Sequence, residues 1–166
     1  HLEQSCEALS ILPSQQQIII SIKRQSLYLI NKDRMIRQYT VSTSKNPPSC
    51  LENSHGTPLG LHCIEDKIGN GEPIGTVFKG RVSQGYTFED APQQEQMRNL
   101  ITTRILRIKG LDPQLNLGDP NDSYKRYIYI HGTNHEERLG KPFSMGCIEL
   151  SNKDCLELFS LVHLND

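Results

Sequence analysis

From residue 17 onward the chain alternates short apolar runs with polar stretches, and Gly, Pro, Asn and Asp interrupt it at short intervals. That pattern predicts half-buried β-strands rather than long amphipathic helices. Residues 17–23, 27–30 and 35–41 read as a three-strand meander, because Gln25-Ser26 and Asn31-Lys32-Asp33 fall where turns belong. A Ser, Lys, Pro and Asn loop at 42–53 leads to His55-Gly56-Thr57-Pro58-Leu59-Gly60, whose proline and glycines make a tight, extended approach to a strand at 61–64. Residues 65–76 read as loop and 77–82 as a short strand. The polar insertion at 85–98 holds a helical turn or two at 93–98, and 100–108 is a β-branched strand. After a loop at 110–123, two apolar runs at 127–131 and 147–150 flank a polar loop. A helix follows: Ser151 or Asn152 caps it, Asp154 complements its N-terminus, and Leu156, Phe159 and Val162 recur at helical spacing. The predicted class is mainly β with minor α, a sandwich or mixed sheet with one helix on the C-terminal side. One domain over 17–166 follows a polar segment at 1–16.

Composition narrows the function classes. With 166 residues the chain suffices for one core without covalent staples. A formal charge of -1, from 18 basic and 19 acidic residues, gives no electrostatic reason to expect nucleic acid or an anionic membrane as partner. Runs such as Ile18-Ile19-Ile20 are too short to span a bilayer. No basic, then apolar, leader opens the chain, so an export signal is expected to have been removed or never to have existed. The five cysteines, Cys6, Cys50, Cys63, Cys147 and Cys155, are odd in number and lack CxxC spacing. Isolated thiols are the expectation, with Cys6 and Cys50 as the one pairing considered; Cys155 reads as core.

The chemistry concentrates between Tyr127 and Leu150. His131 ends one apolar run, and Ser144-Met145-Gly146-Cys147 opens the next. If the two runs are neighbouring strands, the imidazole meets the thiol as a general base meets its nucleophile. Gly146 allows a tight backbone whose N–H groups can face a developing oxyanion. These residues predict a cysteine acyl-transfer enzyme. Zinc held by His131, His135 and Cys147 is the weaker alternative, since no fourth ligand stands near in sequence.

His131-Gly132-Thr133, then Ser144-Met145-Gly146-Cys147-Ile148, then Asn152-Lys153-Asp154 resemble the signature of the L,D-transpeptidase catalytic domain, or YkuD domain. Thr57-Pro58-Leu59-Gly60 is similar to that family's upstream turn, so the likeness extends over roughly residues 17 to 162. The resemblance implies a YkuD-like fold and a cell-envelope or periplasmic enzyme acting on peptidoglycan stem peptides, with no metal or organic cofactor. A second stem or a lipoprotein lysine would be the acceptor, and water would make the enzyme a carboxypeptidase or amidase instead. Cys147 is then the nucleophile, His131 the base, and the Gly132 carbonyl its orienting partner. Ser144 supports the loop, and the Gly146 and Cys147 N–H groups form the oxyanion site. Thr133, Met145, Glu149, Arg104 and His55 are the candidate substrate contacts, although His55 reads first as a loop residue and Arg104 as a solvated one.

Two positions depart from the family pattern. Met145 stands where histidine is usual, and Glu149 where arginine is usual. Glu149 would share a face with Cys147 and disfavour its thiolate, unless Arg104, Arg126 or Arg138 compensates. This predicts a sluggish or differently selective enzyme, with a wall-binding module that has lost its chemistry as the limiting case. The run Glu136-Glu137-Arg138 reads as the exposed tip of a lid. The family's usual further strand after the helix is expected to be missing here or dispensed with.

Overall fold

A computed structural model describes residues 2–166, and two sheets and three helices make up its architecture. Strands β1 (Gln16–Ser21), β2 (Ser26–Asn31) and β3 (Arg34–Thr40) form the expected antiparallel meander. The larger sheet contains β4 (His62–Ile68), β5 (Thr76–Lys79), β6 (Val82–Thr87), β7 (Ile101–Gly110), β8 (Tyr129–Gly132) and β9 (Ile148–Leu150). Its centre is β7, which pairs with β8 along one edge and with β5 and β4 along the other. Helix α1 (Leu2–Ala8) lies within the segment expected to be merely polar. Helix α2 (Gln93–Gln96) is the short turn expected in the insertion, and α3 (Asn152–Leu161) is the capped helix.

The core lies between the two sheets and under α3. Leu27, Leu29, Tyr39 and Val41 from the meander meet Ile64, Leu106, Ile108, Ile130, Ile148 and Leu150 from the large sheet, and α3 closes one side with Cys155, Leu158 and Phe159. Removing that contiguous apolar surface from water supplies the main stabilisation. The large sheet therefore has one dry face, and its other face at β8 and β9 is released for polar groups. No helix among the described residues is long and apolar enough to cross a membrane. All five cysteines are free, so Cys6 and Cys50 are unpaired.

Two strand boundaries differ from expectation. The apolar run at 77–82 is interrupted by a hairpin: Lys79 pairs with Val82 across Gly80-Arg81, whose φ values of +53° and +69° suit a two-residue turn. Strand β4 runs on through Glu65, Asp66 and Lys67, which the composition suggested were loop. Glu65 meets Lys109 at 3.4 Å, Asp66 meets Arg107 at 3.6 Å, and Lys67 Nζ donates to the Phe159 carbonyl at 2.7 Å. Residues 165 and 166 return to β4, where Asn165 and Asp166 exchange backbone hydrogen bonds with Ile64.

Candidate active site

Strands β8 and β9 are parallel neighbours, with Ile130 opposite Ile148, His131 opposite Glu149 and Gly132 opposite Leu150. Parallel pairing requires a long connection, which residues 133–147 supply. Side chains alternate along each strand, so Ile130, Ile148 and Leu150 enter the core while Tyr129, His131, Cys147 and Glu149 share the opposite face. The His131 Nδ1 donates to the Gly132 carbonyl at 2.7 Å. A carbonyl only accepts, so the proton belongs on Nδ1, and Nε2 is the basic nitrogen. A Cβ on Gly132 would come within 2.9 Å of Thr102 O, Thr102 Oγ1 and Asn152 Oδ1, so this position has no space for a side chain. Burial pushes the imidazole down to about 4, against the Gly132 hydrogen bond, and keeps it neutral at neutral pH.

Cys147 is partly exposed and packs against the Phe78, Ile105 and Tyr129 cluster. Its Sγ accepts from the Tyr129 N–H at 3.3 Å, and the thiol donates toward the Tyr127 carbonyl at 3.6 Å. Burial pushes the thiol up to about 12; Glu149 adds to that, while the Tyr129 N–H and Arg126 oppose it. At rest the thiol and the imidazole are thus both neutral, so any attack by this thiol would require a proton transfer with it.

The loop before Cys147 is internally braced. Buried Ser144 donates from Oγ to the Cys147 carbonyl at 2.6 Å and accepts from the Gly146 N–H at 3.2 Å. The Gly146 N–H is therefore engaged. Of the two donors expected for an oxyanion, the Cys147 N–H is the one with no partner among the described residues. Gly146 has φ +122°, and an added Cβ would press on the Gly56 carbonyl and Ile128 at 3.3 Å. Both the backbone conformation and the close approach call for glycine.

The other expected contacts separate. Met145 is exposed at the lip of the loop, and exposed His55 lends its backbone carbonyl to Ser44 Oγ at 2.6 Å. Thr133 is fully buried and pinned: its N–H donates to Leu150 O, and its carbonyl accepts from Asn152. Arg104 is buried on the α3 side, its guanidinium 5.6 Å from the Phe159 ring. Of the three arginines considered as compensating cations, Arg126 acts on the thiol and Arg138 on Glu149. Arg126 is held by the Ser49 and Gly56 carbonyls at 3.0 and 2.8 Å. Glu149, 2% exposed, accepts from Asn99 Nδ2, and burial pushes its carboxyl up to about 7 against that bond and Arg138.

Sequence reasoning missed the groups that build the roof and floor around these residues. Ser151 is the cap of α3, its Oγ accepting from Asp154 N at 3.0 Å, which frees the Asn152 side chain for other work. Asn152 Oδ1 accepts from Thr102 and Thr103 at 2.6 and 2.5 Å, and its Nδ2 donates to Thr133 O and Glu136 Oε1, both at 2.8 Å. The expected lid tip is thereby tied down at Glu136. His135 Nε2 lies 3.1 Å from Arg98 O, and Asn134 Oδ1 accepts from Leu100 N at 2.9 Å. The cap choice at 151 or 152 and the Asn152-Lys153-Asp154 signature pointed to Asn152 without its network, Arg126 was foreseen only as a compensating cation, and nothing local marked Asn99.

Comparison with known proteins fits this geometry. A 57-residue segment is 42% identical to the YkuD protein of Bacillus subtilis (strain 168), a candidate L,D-transpeptidase, and covers 31% of this chain and 35% of that protein. A 54-residue segment is 44% identical to the YkuD protein of Bacillus licheniformis, covering 30% and 33% of the two chains. The fold matches an L,D-transpeptidase from Mycobacterium smegmatis with TM-score 0.56 at 15% identity, over 92% of this chain and 56% of that one. L,D-transpeptidase 3 from Mycobacterium tuberculosis gives TM-score 0.56 at 14% identity, over 92% and 59%. The chain thus spans little more than half the length of these structural neighbours, and its alignments reach about a third of the two Bacillus proteins. The L,D-transpeptidase catalytic domain (YkuD) family matches residues 15–166, and the chain belongs to that family.

Proposed function

We propose that the chain is a peptidoglycan L,D-transpeptidase that works outside the cytoplasmic membrane, by acyl transfer through a thioester on Cys147. The carrying observation is the shared outer face at β8 and the start of β9, on which a partly exposed thiol immediately before β9 joins an imidazole whose proton is fixed on Nδ1. In the first half-reaction Sγ attacks the carbonyl of a diamino acid in a stem peptide as His131 Nε2 takes the thiol proton. The carbonyl oxygen gains negative charge beside the free Cys147 N–H. Collapse breaks the C–N bond, the departing D-amino acid takes the proton back from His131, and a thioester remains. An amine from a second stem or a lipoprotein lysine then attacks the thioester, passes its proton through His131 and restores the thiol. Water in place of that amine gives hydrolysis.

Membership of the family and the fold support the transpeptidase reading. A neutral thiol beside a buried carboxyl supports slow acylation rather than a standing thiolate. Incubation with a carbapenem should raise the intact mass of the wild type by one adduct, and Cys147→Ala should show none. With a tetrapeptide donor and an amine acceptor, joined products indicate transfer and shortened monomers indicate hydrolysis. A wild type that forms neither adduct nor product overturns the proposal.

A further inference from the structure

Arg81 lies at the second position of the β5–β6 turn, partly exposed, and has no carboxylate partner among the described residues. Its Nη1 donates to the Tyr129 hydroxyl at 3.0 Å, and its guanidinium carbon stands 4.8 Å from the centre of the Tyr127 ring. Both tyrosines touch the nucleophile through their backbones, since Tyr129 N–H and Tyr127 C=O are the two groups that meet Cys147 Sγ. Arg81 is therefore held one tyrosine side chain from the thiol, over the face that carries His131. Tyr127 is half exposed with φ +57°, a conformation that a bulky residue adopts only when its surroundings enforce it.

Arg107 also approaches Tyr127, at 4.9 Å, yet it differs in kind. It is buried, donates to the Tyr124 carbonyl at 2.7 Å and faces Asp66 at 3.6 Å, so its charge is already answered. Arg81 spends one of its five N–H groups on a phenol and keeps an edge able to grip a carboxylate bidentately.

We propose that Arg81 reads the free carboxylate of the acyl donor, the one carried by the terminal D-amino acid that leaves when Cys147 is acylated. This rests on the acyl-transfer reading above and adds its selectivity: donors ending in a carboxylate are preferred to those ending in an amide. Arg81 pairs with the leaving residue, and the charge departs with it, clearing the cleft for an amine acceptor.

The test uses the full chain carrying Cys147→Ala, and calorimetric binding of a stem tetrapeptide with a free C-terminus against the same peptide amidated. The acid should bind about ten- to a hundredfold more tightly, the range of a charge-assisted hydrogen bond. Adding Arg81→Gln should bring the ratio close to one, and Arg81→Lys should retain part of it. Equal affinities without the arginine substitution, no measurable binding of the acid, or a parallel loss of both peptides in Arg81→Gln overturns the assignment and leaves Arg81 as a brace for Tyr127. Should Arg81→Gln not fold, the acid-to-amide ratio and its decline in Arg81→Lys still decide. The carbapenem adduct on the wild type is read separately. An adduct without carboxylate preference sinks this assignment alone, and a missing adduct sinks the acyl-transfer reading.

Discussion

The two faces of the β8–β9 pair are built from alternate residues of the same two strands and follow opposite rules. On the inner face Ile130, Ile148 and Leu150 are buried in a continuous apolar cluster, where each packing contact adds stability. On the outer face His131 and Glu149 are buried almost as deeply, 3% and 2% exposed, but as titratable groups whose charged forms burial disfavours: an imidazole pushed down to about 4 and a carboxyl pushed up to about 7. Burying titratable groups costs stability even with the hydrogen bonds that Gly132 and Asn99 supply. The sheet thus concentrates its favourable terms on one side and carries buried, pKa-shifted groups on the other, an arrangement common at functional sites.

That contrast yields a graded set of expectations. The largest effect belongs to His131→Gln, which should lower turnover by about 10²- to 10⁴-fold through loss of the base, while melting changes less than for any inner-face truncation. A variant with undiminished turnover would remove His131 from the reaction. Next comes Leu150→Ala, in which deletion of a fully buried side chain should cost about 3 to 5 kcal/mol in denaturant unfolding, with carbapenem acylation preserved in whatever remains folded. Loss of acylation in folded Leu150→Ala would mean that the two faces are not separable.

The smallest effect is pH-dependent. A carboxyl whose folded value lies above its unfolded one contributes stability that is full below about 4.5 and lost as pH rises through about 7. Glu149→Gln keeps an acceptor for Asn99 and removes that titration. Its melting temperature should match the wild type near pH 5 and exceed it near pH 8, by no more than about 3 kcal/mol in stability. His131, with its folded value lowered, gains stability between about 4 and 6.5 in both proteins, so it cancels from the comparison. Parallel melting curves across the range would show that Glu149 does not titrate in this window.

The separation of faces also explains what could be read from the chain beforehand. The meander, β7 and α3 were legible because period-2 and period-3.6 patterns are local and turn residues bounded them. The β4 extension was not, because Glu65, Asp66 and Lys67 look like loop until Lys109, Arg107 and the end of α3 arrive to pair with them. The β5–β6 hairpin was hidden by an unbroken-looking run whose turn depends on Arg81 adopting φ +69°. At the site, His131, Gly132, Ser144 and Cys147 were visible as a spaced motif, and the resemblance gave them roles. Asn99 was not, and the contacts of Asn152 and Arg126 were not, since each acts across a distance in sequence that only the folded chain closes. The expectation that both Gly146 and Cys147 would offer free N–H groups failed for Gly146 because Ser144 Oγ lies within reach of it.

The parallel ladder between β8 and β9 has a final consequence. Interstrand hydrogen bonds hold the strand that carries His131 in register with the strand that follows Cys147, and residues 137–143, ahead of the braced Ser144–Cys147 turn, carry the chain between them. Changes in the length or make-up of residues 137–143 would thus reshape the surroundings of the outer face while His131 and Cys147 keep their places, which would let selectivity vary apart from the chemistry proposed for them.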